Sequence, residues 1–207
     1  MLRCGGSWKL TVLPMLVLIV ILIFSAIMDI VADQSEVRLV WLKNLGGRGV
    51  GVCWSPDGDR LVVTGDFGIA VFNSRGTTLW VRTEGGDSPS ISPDGRYLAV
   101  ANVGYSIRVY SLSDGAKVWE GSVSGATAVR WGSDGAFLAV SITRNYLLVR
   151  YGDLALYKWV GNEGIQVWRV EVARNEIRAI DFHPRGHVIA LGSLDTVSYT
   201  HLTLPTN

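Results

Sequence analysis

Cysteine is scarce in this chain of 207 residues: Cys4 and Cys53 are the only two. Two thiols cannot make a disulfide framework, and they lie on opposite sides of an apolar segment, so no bridge between them is expected. Cys53, between Val52 and Trp54 in a strand-like run, reads as a small buried hydrophobe. Charge of one sign is missing too. Nineteen basic residues face eighteen acidic ones, so no basic field points to nucleic acid, and no acidic excess points to a solvated, disordered chain. Histidine is limited to three residues. His183 and His187 have the H-x-x-x-H spacing that binds zinc on a helix, but Pro184 and Gly186 between them make a turn, and no metal site is expected. His201 belongs to an anomalous tail described below. No G-x-S-x-G elbow, Walker loop or dinucleotide fingerprint follows a strand, and the glycine-rich Gly49 to Cys53 enters a strand, which has no helix N-terminus for phosphate. Catalytic residues and cofactors are therefore expected to be none.

Hydrophobic residues make up 48% of the chain, and the excess is concentrated early. Leu10 to Met28 carries no charge over 19 residues, long enough as a helix for roughly 28 Å, close to the thickness of a bilayer core. Arg3 and Lys9 precede it, while Asp29, Asp33 and Glu36 follow. That asymmetry predicts a cytoplasmic tail over 1–9, a transmembrane anchor over 10–30 and an extracytoplasmic remainder at the cell membrane. A cleaved secretory signal is the alternative. It is disfavoured by the length of the run and by a poor cleavage site after Ala32, and it would export the same remainder.

The rest of the chain repeats itself. WSPDG at Trp54 to Gly58 returns as ISPDG at Ile91 to Gly95, WGSDG at Trp131 to Gly135 and FHPRG at Phe182 to Gly186. The closing glycines are separated by 37, 40 and 51 residues. Each turn leads into an apolar strand (RLVVTGD, RYLAVAN, AFLAVSI, HVIALGS), then a more polar strand, a second turn, and an outer strand with tryptophan at 80, 119 or 168. Periods near 40 to 45 residues with about four strands each mark propeller blades. Pro fixes φ at the first corner of the turn, Asp bonds its own backbone and Gly accepts positive φ, so Asp57, Asp94 and Asp134 are read as turn caps, not as a ring of acids. The recurring tryptophans are read as packing between blades.

The segment 36–196 resembles the WD-repeat-like and quinoprotein-like β-propellers, the former through its SPDG turns and the latter through the G-x-x-L-W ending of Gly76 to Trp80. It departs from typical WD repeats in lacking both the Gly-His pair and the Trp-Asp ending. The fold expected is all-β: a partial propeller of three four-stranded blades (50–83, 88–123 and 127–172) and two strands of a fourth (177–193), preceded by one transmembrane helix. Glu36 to Lys43 resembles an outer strand without inner strands before it, as where the N-terminal strand of a closed propeller completes its last blade. Residues 197–207, VSYTHLTLPTN, resemble one reading frame of a sequencing-library adapter and are taken as a non-native tail.

Against the repeat, about ten extra residues, Thr143 to Gly152, stand between the second and third strands of blade three. In the propellers it resembles, that connection opens on the face where partners bind. Arg144, Asn145, Tyr146, Arg150 and Tyr151 combine charge and aromatic surface and form the candidate binding site; a merely lengthened hairpin is the plainer reading. The expected partner is a protein or cell-envelope component, and the membrane is engaged through the N-terminal helix. A propeller belonging to a larger enzyme, a prolyl-oligopeptidase-like hydrolase or a quinoprotein dehydrogenase, is the alternative function.

Overall fold

The computed structural model describes residues 38–102, 106–185, 188–195 and 198–203. The expected anchor at 10–30 and tail at 1–9 lie outside them, as does His187. Among the described residues no helix is long and apolar enough to cross a membrane.

From Trp41 onward the chain forms four antiparallel sheets, each a simple meander. Blade one is β1 (Gly49–Trp54), β2 (Arg60–Gly65), β3 (Gly68–Asn73) and β4 (Thr78–Arg82). Blade two is β5 (Asp87–Ile91), β6 (Tyr97–Asn102), β7 (Ser106–Ser111) and β8 (Lys117–Ser122). Blade three is β9 (Ala126–Trp131), β10 (Phe137–Tyr146), β11 (Val149–Val160) and β12 (Glu163–Ala173). The fourth sheet holds β13 (Ile177–Phe182), β14 (Val188–Ser193) and β15 (Ser198–Thr203). The first strands touch in sequence, β1 with β5, β5 with β9 and β9 with β13, so the sheets stack side by side with their first strands innermost.

The three complete blades match the repeats. Two features differ from expectation. The fourth sheet has three strands, because Ser198–Thr203 pairs along β14: a free strand edge accepts a β-branched and aromatic string whatever its origin. And residues 38–43, the described part of the outer strand expected over Glu36 to Lys43, make no strand pairing.

Alternation explains why the middle strands read as continuous apolar runs. In β6, Leu98 and Val100 face the core shared with blade one, while Ala99 and Ala101 face the core shared with blade three. In β11, Ala155 and Tyr157 point to blade two, and Leu154 and Leu156 to the fourth sheet. Blades two and three are thus covered on both faces, the condition that removes polar alternation from a strand. Between blades two and three lies an aromatic cluster. Trp159 stands edge-on to Trp131 at 5.2 Å, to Tyr97 at 5.3 Å and to Trp119 at 6.0 Å, the edge-to-face geometry that ring quadrupoles favour.

The turns carry the expected chemistry. The Asp57, Asp94 and Asp134 carboxylates accept the amides of Asp59, Arg96 and Ala136 at 2.9 to 3.1 Å, capping their own corners. His183 is an exposed turn residue whose Nδ1 accepts the Arg185 amide.

The blades are keyed together by tryptophan on glycine. Trp80 of blade one lies over Gly115 of blade two, so closely that a Cβ there would stand 2.8 Å from the indole ring, and its Nε1 donates to the Leu112 carbonyl at 3.0 Å. Trp119 lies over Gly164 of blade three in the same way. Trp41 lies over Gly76 and donates to the Ser74 carbonyl at 3.1 Å. Residue 41 therefore does the docking of an outer-strand tryptophan without the strand.

Gly95 and Gly115 share one backbone conformation, φ +70° and +71°, but only Gly115 has a ring above it. Gly95→Ala should lose about 1 kcal/mol, the ordinary left-handed penalty. Gly115→Ala should lose about 2 to 4 kcal/mol, since the ring must move as well. Urea melts of the two variants check this; equal losses would show that the Trp80 contact does not hold the blades.

Candidate partner-binding site

The ten extra residues of blade three form a lengthened hairpin. They prolong β10 and β11 into a two-stranded ribbon whose pairing runs Thr143 with Gly152, Arg144 with Tyr151, Asn145 with Arg150 and Tyr146 with Val149, leaving Leu147 and Leu148 as the turn. In each complete blade the corner between the first two strands and the turn before the outer strand lie at one end of the strands. The ribbon leaves from the other end, which it shares with the connections between blades.

All five candidate residues lie on this ribbon, but not on one face. Paired residues point the same way and alternate along a strand, so Arg144, Tyr146, Val149 and Tyr151 share one face, and Asn145 and Arg150 take the other. The Arg144 guanidinium sits 5.5 Å from the centre of the Tyr151 ring.

The arginines are already engaged within the chain. Arg144 grips Asp153 with two hydrogen bonds of 2.8 and 2.9 Å and reaches Glu171 at 2.8 Å. Arg169 adds a third donor to Asp153 at 2.7 Å. On the other face Arg150 pairs with Glu176 at 3.0 Å. Asp153 is 4% exposed. Burial pushes its carboxyl up, but the hydrogen bonds and charges of Arg144 and Arg169 outweigh it and hold the group below the ordinary aspartate value. The same pair raises Arg144, with Asp153 the main cause and Glu171 adding to it. A second tie secures the base, where the Thr143 amide donates to the Gly125 carbonyl at 2.7 Å.

What the ribbon leaves unpaired is its end. Tyr146 is 68% exposed, Leu147 89%, Val149 47%, and Leu148 is wholly exposed. Leu147 holds a left-handed φ of +54°, a conformation most side chains avoid. Beside the ribbon runs an open groove of about 780 Å³ lined by Ser122 to Gly125, Thr143 to Tyr146, Gln166 and Arg169. A further groove, of about 520 Å³, runs along the innermost strands and presents Asp87, Arg130, Glu176 and Arg178. Among the described residues there is no cluster of three or more His, Cys, Asp or Glu able to hold a metal. Cys53 is half-buried, and desolvation pushes its thiol up to about 12, which keeps it protonated and unreactive.

No family model matches the chain, and no curated protein matches it. Solved structures do. It is similar to the β-propeller domain of Cps50 (Swd1) from Myceliophteria thermophila, with a TM-score of 0.60, 17% identity, and coverage of 76% of this chain and 54% of that one. A chain of the mitotic checkpoint complex gives a TM-score of 0.66 at 13% identity, covering 75% and 49%. A chain from a crystal structure of the eukaryotic initiation factor gives 0.51 at 18%, covering 61% and 33%. The fold is that of a β-propeller. The chain spans about half the length of the first two propeller chains it matches.

Within this propeller, reading the sequence located the ribbon but not the residues that complete it. Leu147 and Leu148 were missed because a two-residue hairpin turn ordinarily announces itself by Asn-Gly or Asp-Gly; YLLV looks like core strand. Asp153 was missed because its two partners, Arg144 and Arg169, come from separate strands. The clue that existed was an aspartate directly before the apolar run Leu154 to Leu156 of β11, since a buried carboxylate requires a partner.

Replacing Asp153 should loosen the ribbon. Asp153→Asn is expected to lose about 1 to 3 kcal/mol at pH 7, between the values for buried and surface pairs because Arg144 and Arg169 remain partly hydrated. The folded pKa is depressed, so the stabilisation is complete above the unfolded value near 4 and disappears as the pH falls through the folded value. Urea melts at pH 7 and at pH 3 should show the gap between wild type and Asp153→Asn narrowing on acidification. A gap independent of pH would mean that the carboxylate charge does not hold the ribbon.

Proposed function

We propose that this chain is a membrane-anchored, extracytoplasmic β-propeller that serves as a binding scaffold for another protein or an envelope component, with the blade-three ribbon as its contact element. The observation that carries the reading is the ribbon: a rigid, paired extension that the blade repeat does not require, ending in exposed aromatic and aliphatic side chains. In this reading the propeller's own part in the protein is recognition. One of the propellers it resembles comes from the mitotic checkpoint complex, an assembly of several chains. Anchoring is supported by the uncharged run from Leu10 to Met28, with basic residues before it and acidic residues after it.

Protease added to intact cells should remove a tag placed after Ser193 and spare one placed before Arg3. The reverse protection would contradict the topology, and release of a soluble product would identify the apolar run as a cleaved signal.

A further inference from the structure

We infer that the ribbon binds by inserting its apolar tip, Tyr146 to Val149, into an apolar cleft of a folded partner protein, and that its arginines buttress the tip and make no recognition contact of their own. This rests on the ribbon being the contact element, and it names the chemistry of what is contacted.

Charge makes the first argument. Arg144 is bound by Asp153 and Glu171, and Arg150 by Glu176, so an acidic partner would have to break pairs already made. The four residues of the tip carry no charge and are the ribbon's most exposed apolar surface. Conformation makes the second. Leu147 keeps a left-handed φ with no packing around its side chain to compensate, and strain retained at an exposed position points to function. Neither the turn nor the blade core calls for two leucines there. Rigidity makes the third. The ladder is paired to its last residues, Tyr146 and Val149, and the base is pinned at Gly125 and Asp153. An apolar knob held this way loses little freedom on binding.

The same charges select a protein cleft over a bilayer. An element that dips into anionic lipid carries unneutralised lysine or arginine beneath its apolar tip. Here Arg144 and Arg150, the basic residues flanking the tip, each have a carboxylate partner.

The test uses the full-length chain in the membrane of the cell that makes it. A benzophenone amino acid replaces Leu148 and, as a control at the opposite end of the strands, Arg75. Crosslinked peptides and lipids are identified by mass spectrometry. The expected result is one partner protein, crosslinked from 148 and not from 75, through a peptide that lines an apolar cleft of that partner. Capture of the same partner should then fall at least tenfold in the double variant Leu147→Ser, Leu148→Ser, and stay unchanged in Arg75→Gln at the opposite end of the strands, with both variants melting like wild type. Crosslinks to lipid or to a second copy of this chain, absence of a crosslink, or full capture by the double variant would overturn the inference. A third variant separates the two readings. If replacing 143–152 by a short turn abolishes capture while the double leucine variant retains it, the ribbon remains the contact element and the apolar tip is wrong; if both retain capture, both readings fail.

Discussion

An indole ring lying flat on a glycine, repeated from one blade to the next, is the contact on which the rest of this propeller depends. Trp41, Trp80 and Trp119 stand at equal intervals and rest on Gly76, Gly115 and Gly164. The approach is too close for any Cβ. A sheet-to-sheet core of Val, Leu, Ile and Ala is tolerant of sliding, because hydrophobic burial has no direction. A ring seated on one glycine has a single register, and at Trp41 and Trp80 an indole hydrogen bond to the neighbouring turn fixes it further. Trp41 makes this contact from a segment with no strand pairing, so the docking does not need the outer strand as its frame.

Because docking and capping occur at the corner end of the strands, the opposite end is released from packing duty. There the chain can lengthen a connection without disturbing the stack. Blade three does so by continuing its own ladder, and a ladder so extended needs lateral support, because an isolated two-stranded ribbon is marginal in water. Asp153 supplies it. Buried at the root of the ribbon and bound by Arg144 from β10 and Arg169 from β12, it ties three strands at the level where they leave the core. The arginines that look like recognition residues are engaged within the chain, Arg144 by Asp153 and Arg150 by Glu176, and the exposed end of the ribbon is apolar.

Much of this architecture is legible in the residues. The Pro-Asp-Gly corners announce the blades because each residue type suits a particular dihedral, and the strands between them contain nothing that competes with β structure. The tryptophans are legible as a recurrent position, but the glycines beneath them are not, since each Trp meets a Gly of the following blade and spacing within one blade does not express that. The ribbon is legible as an interruption of the repeat. Its chemistry is not: side-chain type suggests Arg144 and Arg150 as contacts, and only the fold reveals that Asp153, Glu171 and Glu176 stand opposite them. The third strand of the fourth sheet escaped for a different reason, since a free edge at β14 can recruit a sequence that carries no repeat signal.

The ribbon is an addition that the packing of the blades does not need, and amide hydrogen exchange measures that most directly. In a full-length variant whose residues 143–152 are replaced by a short turn, the amides of β9, of β10 up to Ile142 and of β11 from Leu154 should keep their wild-type protection, with changes confined to the root near Asp153 and Gly125. Loss of protection spreading through blade three to the Trp119 contact would contradict it, and would make the ribbon part of the fold.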